Sequence, residues 1–275
     1  MKRNGKQPAN GVNHITNTFA ALAGERRAAL MPYYTLGYPD RDTCLDVVRA
    51  IASTGADLIE LGIPFSDPLA DGPTIQYSTQ VALQSGTNVA SCLEMVAELR
   101  GSGVQQPFLL MGYYNPVLAY GVQYFVEAAS RAGADGFIIP DLPYEEAGDL
   151  EAACRAQGLA LVYLLAPTST QERIEQVASR TSGFLYLVSL TGVTGARSSL
   201  PEDLESFIRK VRAHTQCPLA VGFGISNLRQ ARSVAAIADG VIVGSALIEA
   251  VRKSDQPASA AANFTRALYK GLCAE

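Results

Sequence analysis

Residues 54–62 read TGADLIELG, residues 132–140 read AGADGFIIP, and residues 236–244 read AIADGVIVG. Each stretch begins with small residues that can end a helix, continues through an aspartate in a tight turn, and finishes as a short apolar run. A short apolar run bounded by turn residues is typical of a buried strand. The three copies therefore indicate a helix–strand unit that recurs along the chain.

Other apolar runs extend this pattern over most of the sequence. They are apolar on both faces, as expected for parallel strands that helices cover. The eight predicted strands comprise residues 31–36, 58–61, 108–111, 137–139, 159–165, 184–188, 219–221 and 241–243.

Amphipathic stretches lie between these runs, and proline near the start and glycine after the end are typical helix signals. We predict helices over residues 43–53, 90–99, 122–132 and 144–157, a further helix opened by Pro201, and a short helix opened by residues 244–247. Residues 18–30 are predicted to form a helix across one end of the fold, and residues 257–272 a last outer helix.

Eight strands that alternate with helices over about 250 residues favour an α/β fold, a single (β/α)8 TIM barrel with an N-terminal helix and extra short helices. A doubly wound sheet uses fewer strands and usually a glycine-rich first turn, which LGYP at 36–39 does not provide. We expect a flexible tail over residues 1–13 and one domain over residues 14–275.

Composition excludes several classes of protein. The 275 residues include 48% hydrophobic and 17% charged residues, which favours a packed globule, and the formal net charge of −4 disfavours a nucleic-acid partner. Five scattered cysteines without a CxxC pair disfavour a disulfide framework or a zinc site and fit a reducing, cytoplasmic compartment. The longest apolar run, residues 159–166, is too short to span a membrane, and the polar N-terminus does not resemble a secretory signal.

Function in such a barrel collects at the C-terminal ends of the strands. Glu60 alternates with Ile59 and Leu61, so we expect its carboxyl to point into the barrel, where it serves either in catalysis or as a buried acid satisfied by a donor. The proline-rich loop 63–73 carries Asp67 and Asp71, for which turn chemistry is the alternative to a role in the site.

Two further side chains are candidates. Asp141 follows the strand at 137–139 and could orient a loop or contact a substrate. Tyr186 alternates with Leu185 and Leu187, so its ring is predicted to face inward, as part of the core or as a ligand contact.

Three glycine-rich segments follow the last three predicted strands: TGVTGAR (191–197), GFGIS (222–226) and GSAL (244–247). Glycine lets backbone N–H groups approach an anion, and a helix N-terminus adds a favourable dipole. Barrels of this kind bind phosphate after strands seven and eight, so these segments predict a phosphate site, with ordinary turns as the alternative.

Carboxylates opposite a phosphate site favour proton transfer or carbon–carbon cleavage on a phosphorylated small molecule. No lysine directly follows a predicted strand, which disfavours a Schiff-base aldolase. His14 and His214 lie in the tail and at a helix end and are expected to have surface roles. No spacing of ligands suggests a catalytic metal.

The segment LIELGIPFSDPLADGPTIQ (58–76) closely resembles the signature of the tryptophan synthase alpha chain family. The resemblance continues through YYNP (113–116), IPDLP (139–143), APTS (166–169), TGVTGAR and GFGIS, and covers about residues 32–248. It implies cofactor-free cleavage of indole-3-glycerol phosphate to indole and glyceraldehyde 3-phosphate.

The resemblance also implies roles for particular residues. Glu60 would protonate indole C3 and help take the glyceryl hydroxyl proton, while Asp71 would hold the indole N–H. The implied substrate-binding residues are Tyr33, Asp141, Tyr186, Thr194, Gly195, Gly222, Gly224, Gly244 and Ser245.

The implied partner is a beta chain that carries pyridoxal phosphate and receives indole in an α2β2 tetramer. Tyr33 stands where many members carry Phe, and Tyr38 replaces a frequent acidic or small residue. Three alternatives stay open: a stand-alone lyase that releases free indole, another enzyme on this scaffold, and a non-catalytic phosphate-binding barrel. An indole-glycerol-phosphate synthase would need a lysine at a strand end.

Overall fold

The computed structural model describes residues 10–188, 203–222 and 224–273. Within these ranges, the strands form a single parallel sheet. They are β1 Ala29–Thr35, β2 Ile59–Gly62, β3 Phe108–Met111, β4 Gly136–Ile138, β5 Ala160–Val162, β6 Leu164–Leu165, β7 Leu185–Val188, β8 Leu219–Gly222 and β9 Gly240–Val243.

The strand order in this sheet is β5-β4-β3-β2-β1-β9-β8-β7-β6. The two outermost strands, β5 and β6, are halves of the one strand predicted over residues 159–165, interrupted at Tyr163. At the break, the Tyr163 carbonyl accepts a hydrogen bond from the Tyr186 N–H at 3.0 Å, and the Tyr163 N–H donates to Thr181 Oγ1 at 3.2 Å. Tyr163 joins β5 directly to β6, and these are the two edge strands, so the sheet closes into a barrel. The predicted TIM barrel is confirmed.

The helices lie between the strands along the chain. They are α1 Gly11–Gly24, α2 Arg41–Ala52, α3 Pro73–Gln84, α4 Val89–Gly101, α5 Tyr114–Tyr120, α6 Val122–Ala132, α7 Gly148–Gln157, α8 Gln171–Arg180, α9 Leu204–Arg212, α10 Leu228–Ala235, α11 Ser245–Arg252 and α12 Pro257–Cys273.

The first helix differs from its prediction over residues 18–30. It begins at Gly11 because the Asn10 side chain accepts a hydrogen bond from the Asn13 N–H, so residues 11–13 of the predicted tail are helical. It ends at Gly24 because Ala29 is already part of β1. The division into a tail and one domain stays a prediction.

The helix predicted over residues 144–157 starts four residues late. Residues 144–147 form turns instead, in which the Glu146 N–H donates to the Pro143 carbonyl at 3.0 Å. The sequence analysis did not single out α3, α5, α8 and α10, each of which buries at most two large apolar side chains.

The repeated aspartate has one structural role in all three copies. Each carboxylate accepts a hydrogen bond from a backbone N–H near the start of the neighbouring strand and pairs with an arginine. The sets are Asp57 with Leu30 and Arg27, Asp135 with Phe108 and Arg100, and Asp239 with Leu219 and Arg212. These contacts lie at the N-terminal ends of the strands, so the repeat that identifies the fold stabilises the face opposite the site.

Candidate active site

Glu60 lies in the middle of β2, directly opposite Tyr33 in the register of β1 and β2. Its side chain is fully buried, and in the described part of the chain neither carboxylate oxygen has a hydrogen-bond partner. An ionised carboxylate in such a position is costly. Burial accordingly raises the pKa of the Glu60 carboxyl to about 8, so the group holds its proton at neutral pH.

Tyr186 establishes that Glu60 faces the barrel interior. It lies in β7, which β1, β9 and β8 separate from β2 in the sheet. Burial and then the proximity of Glu60 raise the pKa of the Tyr186 hydroxyl. Two side chains so far apart in the sheet can interact only across the interior, as predicted for both.

Asp71 is the second buried acid and lies on the loop before α3. It is 9% exposed, and burial raises its pKa to about 6, although a hydrogen bond from the Tyr113 hydroxyl opposes the rise. The same hydroxyl accepts a hydrogen bond from the Ala70 N–H at 3.0 Å. Gln76 holds the loop from the other side by donating to the Asp71 carbonyl at 2.8 Å.

Glu60 and Asp71 thus have pKa values on opposite sides of neutrality. At pH 7, the first is protonated and the second is ionised. A pair of carboxyl groups whose environments separate their pKa values can divide the roles of proton donor and charge stabiliser. The site can therefore protonate one atom of a substrate and stabilise a positive charge elsewhere in it.

Two tyrosines lie close above strand-end glycines. A Cβ at Gly62 would come within 2.0 Å of the Tyr33 hydroxyl, and a Cβ at Gly222 within 2.1 Å of the Tyr186 hydroxyl. Only glycine leaves room for these hydroxyls at the C-terminal ends of β2 and β8. Tyr33 and Tyr186 are therefore brought to the same level of the barrel, above Glu60.

The structure describes part of the predicted phosphate site. Gly222 ends β8, Gly224 has a φ of +85°, and Gly244 precedes α11, whose first residue is Ser245. The first N–H groups of a helix have no partner within it and attract anions. Residues 189–202, which include Thr194 and Gly195, and residue 223 lie outside the described residues.

The sequence left two roles open for Asp141, orienting a loop or contacting a substrate. Its Oδ1 and Oδ2 accept hydrogen bonds from the Tyr114 N–H at 3.0 and 3.2 Å. The carboxylate thus holds the start of α5, next to Tyr113, which fits the alternative that it orients a loop.

Tyr113 is a site residue that we did not single out from the sequence for its chemistry. It follows Gly112 at the C-terminal end of β3, and functional residues of such barrels collect at the C-terminal ends of the strands. Its role depends on contact with Asp71 and Ala70, which lie about forty residues away in sequence, and no local pattern predicts that contact.

The histidines lie outside this site. His14 Nδ1 is 2.8 Å from Asp135 Oδ1, and His214 Nδ1 is 3.2 Å from Glu175 Oε1. The described residues contain no cluster of three or more histidine, cysteine or acidic side chains that could hold a metal ion. The helices among them are also too short or too polar to cross a membrane.

Comparison with known proteins gives consistent results. Residues 19–272 match the family model described as tryptophan synthase alpha chain. A protein of that description from Chloroflexus aurantiacus is 52% identical over 263 residues, which cover 95% of this chain and 99% of the relative. One from Chloroflexus aggregans is 52% identical over 242 residues, which cover 88% and 91%.

Solved structures are similar over nearly the whole chain. Mycobacterium tuberculosis tryptophan synthase aligns with a TM-score of 0.88 and 37% identity, covering 95% of this chain and 98% of that one. The tryptophan synthase alpha chain of Legionella pneumophila aligns with a TM-score of 0.87 and 35% identity, covering 94% and 97%.

Proposed function

The chain belongs to the tryptophan synthase alpha chain family, a family of lyases that cleave indole-3-glycerol phosphate in tryptophan biosynthesis, and we propose that Glu60 and Asp71 catalyse this cleavage. The observation that carries the proposal is the environment of Glu60. It is a fully buried acid whose oxygens have no partner in the described chain. A second buried acid, Asp71, lies close enough to share an influence on the pKa of Tyr33 and of Tyr186 with Glu60.

The proposed reaction is a retro-aldol cleavage to indole and glyceraldehyde 3-phosphate. Glu60, protonated at neutral pH, donates its proton to indole C3. The electron pair of the bond between C3 and the glyceryl chain then returns to the ring, and the adjacent hydroxyl loses its proton to form the aldehyde carbonyl. The Glu60 carboxylate takes up that proton, so the group ends the cycle as it began.

Asp71 stabilises the charge that this mechanism creates. Protonation at C3 places positive charge on the indole nitrogen, and an ionised carboxylate that holds the N–H lowers the energy of that state. With a pKa of about 6, Asp71 is mostly ionised at neutral pH. Tyr113 keeps the carboxylate in place by its hydrogen bond, and Asp141 acts through the start of α5 to position Tyr113.

The phosphate group would bind at the N-terminus of α11. Gly244 and Ser245 supply backbone N–H groups there, and Gly224 lies in the preceding strand–helix connection. From the family pattern we propose Gly195 as a further phosphate-binding residue, Gly222 as a substrate-binding residue, and Thr194 as a residue that helps to bring Asp71 into place. Tyr33 and Tyr186 would pack beside the indole ring.

The family functions with a beta chain, and we propose that one docks beside the Asp71 loop in an α2β2 tetramer. Leu69 on this loop is 78% exposed and Leu118 on α5 is 51% exposed, and both line one surface cavity together with Phe65. Large apolar side chains that cluster at the surface are typical of protein interfaces. We expect no cofactor on this chain, since pyridoxal phosphate belongs to the beta chain.

The experiment is an assay of indole release from indole-3-glycerol phosphate, with and without a beta chain. We expect slow release by the isolated chain and a clear increase with the partner. Fast release without a partner would favour the stand-alone lyase. Binding of glycerol phosphate without any release would favour the non-catalytic barrel.

A further inference from the structure

Gln230 is a buried polar side chain outside the groups to which we assign a catalytic or binding role. It is 4% exposed and is the third residue of α10, the helix that follows β8. The described part of the connection between this strand and this helix comprises residues 224–227. A buried amide is costly unless it is hydrogen-bonded, so the partners of Gln230 show what it stabilises.

The side-chain oxygen of Gln230 accepts two hydrogen bonds from Ser226, which lies in this connection. The Ser226 N–H donates at 2.8 Å and the Ser226 hydroxyl at 3.0 Å. A backbone N–H can only donate, so the atom of the Gln230 amide that faces it must be the oxygen. Because an amide oxygen can only accept, the Ser226 hydroxyl must be the second donor.

A further hydrogen bond links the same connection to the backbone of α10. Asn227 is the N-cap of the helix, and its Oδ1 accepts a hydrogen bond from the Gln230 N–H at 3.0 Å. In a capping box, the third helical residue reaches back to the N–H of the N-cap. The Gln230 side chain reaches one residue further, to Ser226. Gln230 therefore holds two successive residues of the connection.

Gly224 lies two residues before Ser226 and needs such support. Its φ of +85° is readily accessible to glycine, but glycine also populates many other conformations. A loop that is already held in its bound conformation binds a ligand more tightly, because less ordering is needed on binding. Ile225, between the two residues, is 4% exposed, so a displacement of Ser226 is passed through a packed segment to Gly224.

We propose that Gln230 is a positioning residue for the phosphate group, because its hydrogen bonds with Ser226 hold the connection that carries Gly224 in the conformation that binds phosphate. This inference rests on the proposed function, which places the phosphate at the N-terminus of α11 with Gly224 beside it. It predicts that Gln230 changes the affinity for phosphate ligands without contacting them and leaves proton transfer by Glu60 intact.

Two probes separate the two ends of the site. Glycerol phosphate carries the phosphate group without the ring, and indole, a product of the proposed reaction, carries the ring without the phosphate. Calorimetric titration gives Kd for both. Gln230→Met keeps the length of the buried side chain and removes the acceptor. We expect glycerol phosphate to bind about tenfold more weakly, as for one hydrogen bond to a charged group, and indole to bind as in the wild type.

Steady-state kinetics gives a second readout for the same variant. With each protein saturated with a beta chain, KM for indole-3-glycerol phosphate should rise in Gln230→Met, while kcat stays within about twofold of the wild type. The reason is that the phosphate is bound in the ground state and in the transition state alike. A fall in kcat with KM unchanged would contradict a role in phosphate binding.

Ser226→Ala gives a milder test, because it removes the hydroxyl bond to Gln230 and keeps the N–H bond. We expect about a two- to threefold loss of affinity for glycerol phosphate. In the double variant with Gln230→Met, this additional loss should disappear, since the acceptor is already absent. An effect of Ser226→Ala that persists in full would mean that the hydroxyl acts independently of Gln230, and would overturn the proposal. If Gln230→Met does not fold, an unchanged Kd in Ser226→Ala overturns it as well.

Ser91→Ala is the matched control. Ser91 is the third residue of α4, and its hydroxyl oxygen accepts a hydrogen bond from the Asn88 N–H at 2.9 Å in a capping box. The variant should lower Tm, as the loss of a cap does, and change neither Kd. If Gln230→Met weakened both probes equally, its effect would be a general loosening of the fold, and the proposal would be wrong.

The outcomes separate this proposal from the proposed function. Wild-type protein that binds neither probe and cleaves no indole-3-glycerol phosphate would contradict the proposed function. Wild-type protein that cleaves the substrate and binds both probes, with an unchanged Kd for glycerol phosphate in Gln230→Met, would contradict only the role of Gln230.

Discussion

Tyr33 lies opposite Glu60 in the register of β1 and β2, and its hydroxyl reaches over Gly62, two residues further along β2. The tyrosine ring thus covers the acid on the side from which a substrate enters at the strand ends. Together with burial on all other sides, this arrangement keeps water from Glu60 and explains why its pKa rises to about 8. Replacing Glu60 should therefore change stability as well as activity.

We predict that Glu60→Gln becomes more stable relative to the wild type as pH rises. An unfolded glutamate ionises near its ordinary pKa of 4.5, whereas the folded state holds the proton to about 8. Between these values the folded state binds more protons, so the free energy of unfolding of the wild type falls with rising pH, by up to about 1.4 kcal/mol per unit of pKa difference. Because glutamine does not ionise, the Glu60→Gln variant lacks this fall in the free energy of unfolding.

Thermal unfolding at pH 5 and pH 8 measures this effect. The Tm of the variant minus that of the wild type should be higher at pH 8 than at pH 5. Glu94→Gln, which removes an exposed carboxylate from α4, is the control and should show no such trend. A constant difference between variant and wild type would mean that Glu60 is ionised in the folded protein.

The pH dependence of kcat/KM should be bell-shaped. Activity needs Asp71 ionised, which gives a rising limb near pH 6, and Glu60 protonated, which gives a falling limb near pH 8. Initial rates of indole release from pH 5 to 9 test this. A profile that is flat between pH 7 and 9 would contradict the role of Glu60 as the proton donor.

Tyr113→Phe should shift one limb of that profile. Its hydroxyl lowers the pKa of Asp71 by a hydrogen bond, so its loss should move the rising limb to higher pH and leave the falling limb in place. Tyr114→Phe serves as the control, because the neighbouring hydroxyl makes no hydrogen bond to another described residue. A shift of both limbs would point to a general change in the site.

Gly224→Val should weaken binding of glycerol phosphate. Gly224 has a φ of +85°, which a β-branched residue adopts only with strain, so the connection after β8 would shift away from the phosphate. Gly103→Val is the matched control for backbone strain, because Gly103 has a φ of +95° and no atom lies within 4 Å of the added Cβ. It should lower Tm without changing Kd. Equal Kd values in Gly224→Val and wild type would place the phosphate elsewhere.

The sequence predicted the barrel because each strand is a local apolar run and each repeated aspartate lies one or two residues before one. The ends of the eight strands lie within two residues of their predictions, apart from the break at Tyr163. Helix ends were less certain, since caps such as Asn10 and the turn at Pro143 depend on single hydrogen bonds.

The site was only partly predictable, because some of its features are local in sequence and others depend on contacts between distant segments. Alternation along β2 places Glu60 inside, and this is a local property. The contacts of Tyr113 with Asp71 and of Thr35 with Ser78 join segments about forty residues apart, and the position of Asp141 at the start of α5 depends on the packing of two loops. These contacts depend on tertiary structure, which the sequence pattern does not reveal.

The most direct test of this account is the rate of indole release from indole-3-glycerol phosphate by Glu60→Gln and wild type, each saturated with a beta chain. Glutamine keeps the shape of the side chain and removes proton transfer, so we expect kcat to fall by about 10²–10⁴-fold while glycerol phosphate binds as in the wild type. Turnover within a few-fold of the wild type would contradict the assignment of Glu60 as the acid that starts the cleavage.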